Sequence, residues 1–166
     1  GEATVIAWIW ARTVKCPNPA CGCEMPLASS FVLSKKKGKE AYIKAEYDQS
    51  QRSMHFKVTT NIQEMNDPPK VARGAKFKCI VCGESVQPDY IKEQGMTSKM
   101  GSQLMAVVAE GKNGRIYLSP DAIQILAANV AKPEDYPTGE LGGDKRAIWA
   151  PLYGLDTYDK LFTPRQ

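Results

Sequence analysis

Two pairs of cysteines constrain this 166-residue chain more than any other feature: Cys16 and Cys21 in CPNPACG, and Cys79 and Cys82 in CIVCG. Cysteines separated by roughly two to four residues place both sulfurs on one side of a tight turn. The glycine after the second cysteine lets the backbone turn its amides toward the thiolates. Two such knuckles complete a tetrahedral cage of four thiolates, Cys16, Cys21, Cys79 and Cys82, whose usual occupant is zinc. Iron fits the same cage and would make a rubredoxin-like electron carrier, although the long gap between the pairs and the lack of other redox features favour zinc. A disulfide framework fits poorly, because the count of five cysteines is odd and no export signal precedes them. A thioredoxin-like redox pair needs Cys79-Ile80-Val81-Cys82 to open a helix, and Gly83 follows at once with no helical period behind it. Cys23, one step past the first knuckle, reads as a packed or free thiol. The lone His55, in SMHFKVTT, reads as a surface or pairing residue of a strand and not as a ligand.

The segments around the knuckles read as strands. Residues 4–15 are rich in β-branched and aromatic side chains, with Ile6, Trp8 and Trp10 on one face, and they feed the first knuckle. Residues 75–78 alternate directly into Cys79. Each cysteine pair therefore follows a strand, the arrangement of a zinc ribbon. Between the knuckles lie 56 residues besides Cys23, more than a ribbon needs. They predict a β-rich insertion with strands at 30–34, 40–47 and 53–60, a turn at Lys37-Gly38, and a linker at Asn66-Asp67-Pro68-Pro69. Further on, residues 103–109 and 115–118 flank Gly111-Lys112-Asn113-Gly114, where Asn-Gly favours a hairpin turn, with a helix as the alternative reading of 103–109. Ser119-Pro120-Asp121 then starts a helix with Ile123, Leu126, Ala127 and Val130 on one face, stopped by Lys132-Pro133. The prolines at 133, 137 and 151 and the glycines at 139, 142, 143 and 154 predict an irregular connector, with Trp149 and Tyr153 as anchors. The expected fold class is β-rich α+β. Residues 1–99 form a zinc-ribbon module with inserted β-hairpins, and residues 100–166 add a hairpin, one helix and an irregular C-terminal connector.

A composition of 43% hydrophobic and 24% charged residues excludes disorder and collagen. The longest apolar runs, TVIAWIWA and LMAVVA, are strand-length, far short of the roughly 20 residues of a membrane helix. With no signal peptide either, the expected location is cytoplasmic, with no membrane partner. The start at Gly1, together with a capping box at Thr163-Pro164-Arg165-Gln166 that announces a helix not present, predicts a piece of a longer protein. Residues 1–99 carry 15 lysines and arginines against 10 acids, and residues 100–166 carry 7 against 8. Within the basic part, Lys35, Lys36, Lys37 and Lys39 cluster at a turn, either a solvated tip or a contact to the DNA backbone. Tyr42 and Tyr47, five positions apart, point to opposite faces of one strand and make no platform for stacking bases.

Two motifs match only in letters. Asn66-Asp67-Pro68-Pro69-Lys70 approaches the Asp-Pro-Pro-Tyr motif of adenine methyltransferases, but Lys70 stands where the stacking ring belongs, and no glycine-rich turn follows a strand to hold a nucleoside cofactor. Gly111-Lys112-Asn113-Gly114 has the spelling of a KH loop, yet one of its flanks reads as strand where a KH loop joins two helices. No Ser/His/Asp set can be built around one histidine.

Taken in order, ATVIAWIWARTVKCPNPACG, SFVLSKKKGK, the second knuckle, MGSQLMAVVAEGKNGRIYL and IWAPLYGLDTYDKLFTPRQ resemble the central portion of a family of adenine-specific DNA methylases that contain a zinc ribbon. The resemblance spans nearly the whole chain. It implies a parent enzyme that transfers a methyl group from S-adenosylmethionine to adenine N6 in DNA, with the cofactor segment before this region and the catalytic motif after it. This piece would then be a non-catalytic insertion, structural and DNA-positioning. Its partners would be the rest of the parent methyltransferase and DNA, and S-adenosylmethionine would bind only in the parent. The cysteines matching the family are Cys16, Cys21, Cys79 and Cys82, and Cys23 gains no role. Outside that family, the remaining readings are the iron electron carrier and a generic zinc-stabilised interaction module.

Overall fold

The computed structural model describes residues 3–141 and 149–165. It is β-rich with two short α-helices. Strand β1 (Thr4–Lys15) is the spine. It pairs antiparallel with β2 (Glu24–Pro26) on one side and with β8 (Gly101–Gly111) on the other, and β9 (Gly114–Leu118) completes the order β2-β1-β8-β9. The sheet thus joins the N-terminal segment to the segment after residue 99. A second sheet is formed by β3 (Val32–Ser34), β4 (Ala41–Asp48) and β5 (Ser53–Thr59), and a two-stranded ribbon by β6 (Phe77–Lys78) and β7 (Ser85–Val86). Among the described residues no helix is long and apolar enough to cross a membrane.

Alternation is clear on β5. There it buries Met54 and Phe56 while His55 and Lys57 face solvent, and the first two close one core with Phe31, Ile43, Ala28, Ala11 and Met105. That core seats the inserted sheet on β1 and β8. A second core gathers Val14, Met25, Phe77, Val86 and Ile91 around the cysteines. On β1 the period is broken by register shifts at Val5/Ala7 and Ile9/Trp10, which is why Ile6 is exposed while Trp8 and Trp10 pack beside Leu104, Val107 and Ala128.

The β8–β9 hairpin turns at Lys112-Asn113, with Gly111 opposite Gly114. Neither turn residue has positive φ. Gly114 at +103° takes it instead, so the Asn-Gly pair sits one position later than in a mirror-image turn. Lys37-Gly38 turns as expected, with Gly38 at φ +74° and the Lys39 amide donating to the Lys36 carbonyl at 2.8 Å.

Three expectations need correction. A helix α1 (Pro88–Met96) follows the second knuckle where none was expected; Pro88 sits in its first turn, and only Ile91 and Gln94 are buried, so no apolar period marks it. Helix α2 (Ala122–Ala128) starts as expected, with the Asp121 carboxylate capping the Gln124 amide at 2.7 Å, but it ends at Ala128, well before Pro133. Its apolar stripe also faces outward. Ile123 and Leu126 are 74% and 75% exposed, while the helix docks through Ala128 and through Gln124, whose Oε1 accepts from Trp8 Nε1 at 3.2 Å. The connector is irregular as expected, with 3₁₀ turns at Pro151–Tyr153 and Tyr158–Leu161. Tyr153 packs against the cysteine-centred core, whereas Trp149 is exposed. Gly142 and Gly143 lie outside the described residues, as does Gln166 of the capping box; Pro164 and Arg165 before it form a turn.

Candidate metal centre

Each knuckle is the tip of an antiparallel hairpin. At the first, Lys15 pairs with Glu24 and the Cys16 amide donates to the Cys23 carbonyl at 2.8 Å, closing the β1–β2 loop. Inside it the Asn18 carbonyl accepts from the amides of Cys21 and Gly22 at 3.0 and 2.9 Å. At the second, Lys78 pairs with Ser85, the Cys79 amide donates to the Glu84 carbonyl at 2.8 Å, and the Cys79 carbonyl accepts from Gly83 at 2.9 Å. The glycines behind the pairs, Gly22 and Gly83, lie at φ +57° and +79°, a conformation that a side chain would strain. This is the physical reason both pairs end in glycine.

These hairpins bring Cys16, Cys21, Cys79 and Cys82 together. Their sulfurs all lie within 4.8 Å of one another and can hold a metal ion. Across the knuckles, Cys16 Sγ is 3.5 Å from Cys82 Sγ, and Cys21 Sγ is 3.9 Å from Cys79 Sγ. Metal–sulfur bonds of about 2.3 Å set the corners of a tetrahedron about 3.8 Å apart, so the observed spacing can accommodate a four-thiolate metal site. Three of the four are buried and Cys82 is exposed.

Burial pushes the Cys16 thiol well above its ordinary range, against a backbone hydrogen bond at Asn18 that lowers it. A cation among the sulfurs reverses that preference, since a coordinated thiol is deprotonated outright. Cys23 is wholly buried, with its sulfur 3.4 Å from Cys79 Sγ but outside the group of four; burial raises it as well. It is a wall of the site. The phenol of Tyr90, on α1, donates to the Lys15 carbonyl at 2.9 Å and ties that helix to the first knuckle.

The other sequence candidates fall elsewhere. His55 lies away from the cage, its Nε2 3.1 Å from Ser53 Oγ. The Asn66–Lys70 segment is strapped down, with Asn66 Oδ1 accepting from the Ala45 amide at 2.7 Å, Pro69 fully buried, and its carbonyl accepting from the Lys78 amide at 2.8 Å. Tyr42 is buried and Tyr47 packs between two cores, so neither stands free to stack on a base. Lys35, Lys36 and Lys37 are exposed at the β3–β4 tip. Lys39 is half-buried, and its amine donates to the Asn113 carbonyl on the β8–β9 tip. That contact between two hairpins had no signal in the sequence, because nothing in either turn's residues specifies which other turn it meets. A cleft of about 530 Å³ beside the connector is lined by Arg12, Lys132, Asp135, Tyr136 and Asp159, and its Lys132 is already engaged, 2.6 Å from Asp159 and over the Tyr136 ring.

Comparison with protein-family models, with curated proteins and with solved structures finds no match to this chain.

Proposed function

We propose that this chain is a zinc-ribbon module, structural in role and non-catalytic by itself, that belongs to a SAM-dependent adenine-specific DNA methyltransferase and helps position its DNA. The observation that carries the metal part is the set of four sulfurs delivered by two hairpin tips within 4.8 Å of one another. Zinc suits the cage because its closed four-sulfur sphere leaves no open position for substrate, which is the mark of a structural site. The ion would supply cohesion where β6 and β7 contribute only two residues each. The cation would hold the two knuckles together, and the chain's own groups, the Asn18 carbonyl with the amides of Cys21 and Gly22 and the Cys79 carbonyl with the amide of Gly83, would fix the loops that present the sulfurs.

The methyltransferase part is supported by the ordered resemblance of the five segments and by the basic tip at Lys35, Lys36, Lys37 and Lys39. This chain offers neither a glycine-rich cofactor turn nor an aromatic at Lys70, so its own contribution is placement and not chemistry. Two measurements test the reading. Calorimetric titration of the chain with S-adenosylmethionine should give no heat, and a micromolar dissociation constant would overturn the non-catalytic role. The reading frame around the coding segment should carry a glycine-rich strand-turn upstream and Asp-Pro-Pro-Tyr downstream; a frame with neither would remove the methyltransferase assignment and leave the metal module standing. An absorption spectrum separates the metals, since a ferric four-thiolate centre is coloured and a zinc centre is not.

A further inference from the structure

The tips of the β3–β4 and β8–β9 hairpins lie 74 residues apart along the chain, yet they meet. The Lys39 amine donates to the Asn113 carbonyl, and a side chain at Gly114 would begin only 3.2 Å from that nitrogen. The contact sets Lys35, Lys36 and Lys37 of one turn beside Lys112 and Arg115 of the other, all five exposed. None of the five makes an ion pair among the described residues, whereas Lys44 and Lys57 on the neighbouring strands close on Glu46 at 3.0 and 2.7 Å. Across the two tips six cations face only two acids, Glu40 and Glu110. Unneutralised charge is thus concentrated where two separate turns are clamped together.

We infer that the two tips form one composite surface that binds the phosphate backbone of a DNA duplex, with Lys39 as the clamp and Lys35, Lys36, Lys37, Lys112 and Arg115 as the contacts. This rests on the reading that the lysine turn faces DNA and extends it to a second hairpin. Five cations held together repel one another, and a polyanion relieves the repulsion while releasing counterions. The tips carry no apolar side chain from Lys35 to Glu40 or from Lys112 to Arg115, so they lack what a membrane-inserting surface uses. They also carry no aromatic, so the surface reads charge and not base identity.

The test is the salt dependence of binding to a mixed-sequence 20-base-pair duplex, using the full 166-residue chain with its metal bound. Five contacts give a slope of log affinity against log salt of about −4.5, at about 0.9 per phosphate. Changing Lys35, Lys36 and Lys37 to Gln should reduce the steepness by about 2 to 3, and Lys112→Gln with Arg115→Gln by about 2, with binding weakened tenfold or more at low salt in each case. All variants should keep the metal content and circular dichroism of the parent chain. If the Lys112/Arg115 variant keeps the parent's slope and affinity while the triple variant loses both, the composite surface is wrong and the lysine turn acts alone. If the parent chain fails to bind the duplex at low salt, or binds phosphatidylserine vesicles and not the duplex, the DNA-facing reading itself falls.

Discussion

The two ends of this molecule are held by different means. At the cysteine end, strands of two and three residues and a nine-residue helix converge on the four cysteines, and Val14, Cys23, Met25 and Val86 are completely buried. Past residue 119 the reverse holds, with Ile123, Leu126, Trp149 and Phe162 exposed. There the chain is anchored by few apolar side chains, Ala128, Leu141 and Tyr153, and by polar and backbone contacts: Trp8 to Gln124, the Arg12 guanidinium to the Lys160 carbonyl at 2.7 Å, and the Lys132–Asp159 pair. Very short strands stay together only if something other than their ladder hydrogen bonds joins them. A metal among the four cysteines would do this at one end, and a series of small contacts does it at the other. Loss at the cysteine end should therefore be cooperative, and loss at the connector gradual.

The largest expected effect comes from removing the metal, by chelation or by Cys79→Ser. Structural zinc in small domains contributes on the order of 10 kcal/mol of apparent binding free energy, so amide exchange in β6, β7, α1 and the end of β1 should accelerate by orders of magnitude. Strands β4 and β5, which draw on the Phe31–Phe56 core, should keep most of their protection. Uniform loss of protection across both sheets would erase the distinction between the two means of support.

A smaller effect isolates the junction of the two ends. Gly95 on α1 and Gly154 in the connector pass so closely that a Cβ on Gly95 would lie inside the Tyr153 carbonyl group. Gly95→Ala should cost about 1–3 kcal/mol by overpacking. It should release the connector around Tyr153 in exchange experiments while the metal content stays at that of the parent chain. If the metal is lost as well, the ends are coupled more tightly than their contacts suggest.

Next in size is Cys23→Ala. As a buried wall of the cage and not a ligand, Cys23 should cost about 1 kcal/mol through its lost packing, with metal stoichiometry unchanged. A fall in stoichiometry would make it a ligand.

The smallest effect is acid loosening of the connector. Lys132 holds the Asp159 carboxyl below the usual carboxylate range, and Lys160 does the same for Asp156. Depressed folded-state values mean that these groups stabilise the fold above their unfolded value, near pH 4, and that this support is lost as pH falls through the lower folded values. Between pH 5 and pH 3, resonances of the connector should shift before those of β4 and β5. The effect should be slight, because both pairs are surface pairs.

The strands and the knuckles were legible in the sequence because their signals are local. β-branched and aromatic content marks β1 and β4, alternation marks β5, and cysteine spacing with a trailing glycine marks each hairpin tip. The partnership of the four cysteines was legible from chemistry, since four-thiolate cages have few other purposes. What was not legible depends on distant neighbours. Helix α1 has two buried residues and hence no period, and α2 turns its apolar stripe outward because Trp8 and the Leu104–Val107 core receive Gln124 and Ala128 instead. The clamp of Lys39 on Asn113 follows from how the two sheets pack, which no window along the chain encloses.

The most direct measurement is X-ray absorption at the metal edge of protein purified under reducing conditions, with metal content determined on the same sample. One zinc per chain, surrounded by four sulfurs at about 2.3 Å, is the expected result, and it should persist in the Cys23→Ala variant. Metal-free protein that retains the full exchange protection of β6, β7 and α1, or a metal with nitrogen or oxygen among its ligands, would contradict a structural centre built from Cys16, Cys21, Cys79 and Cys82.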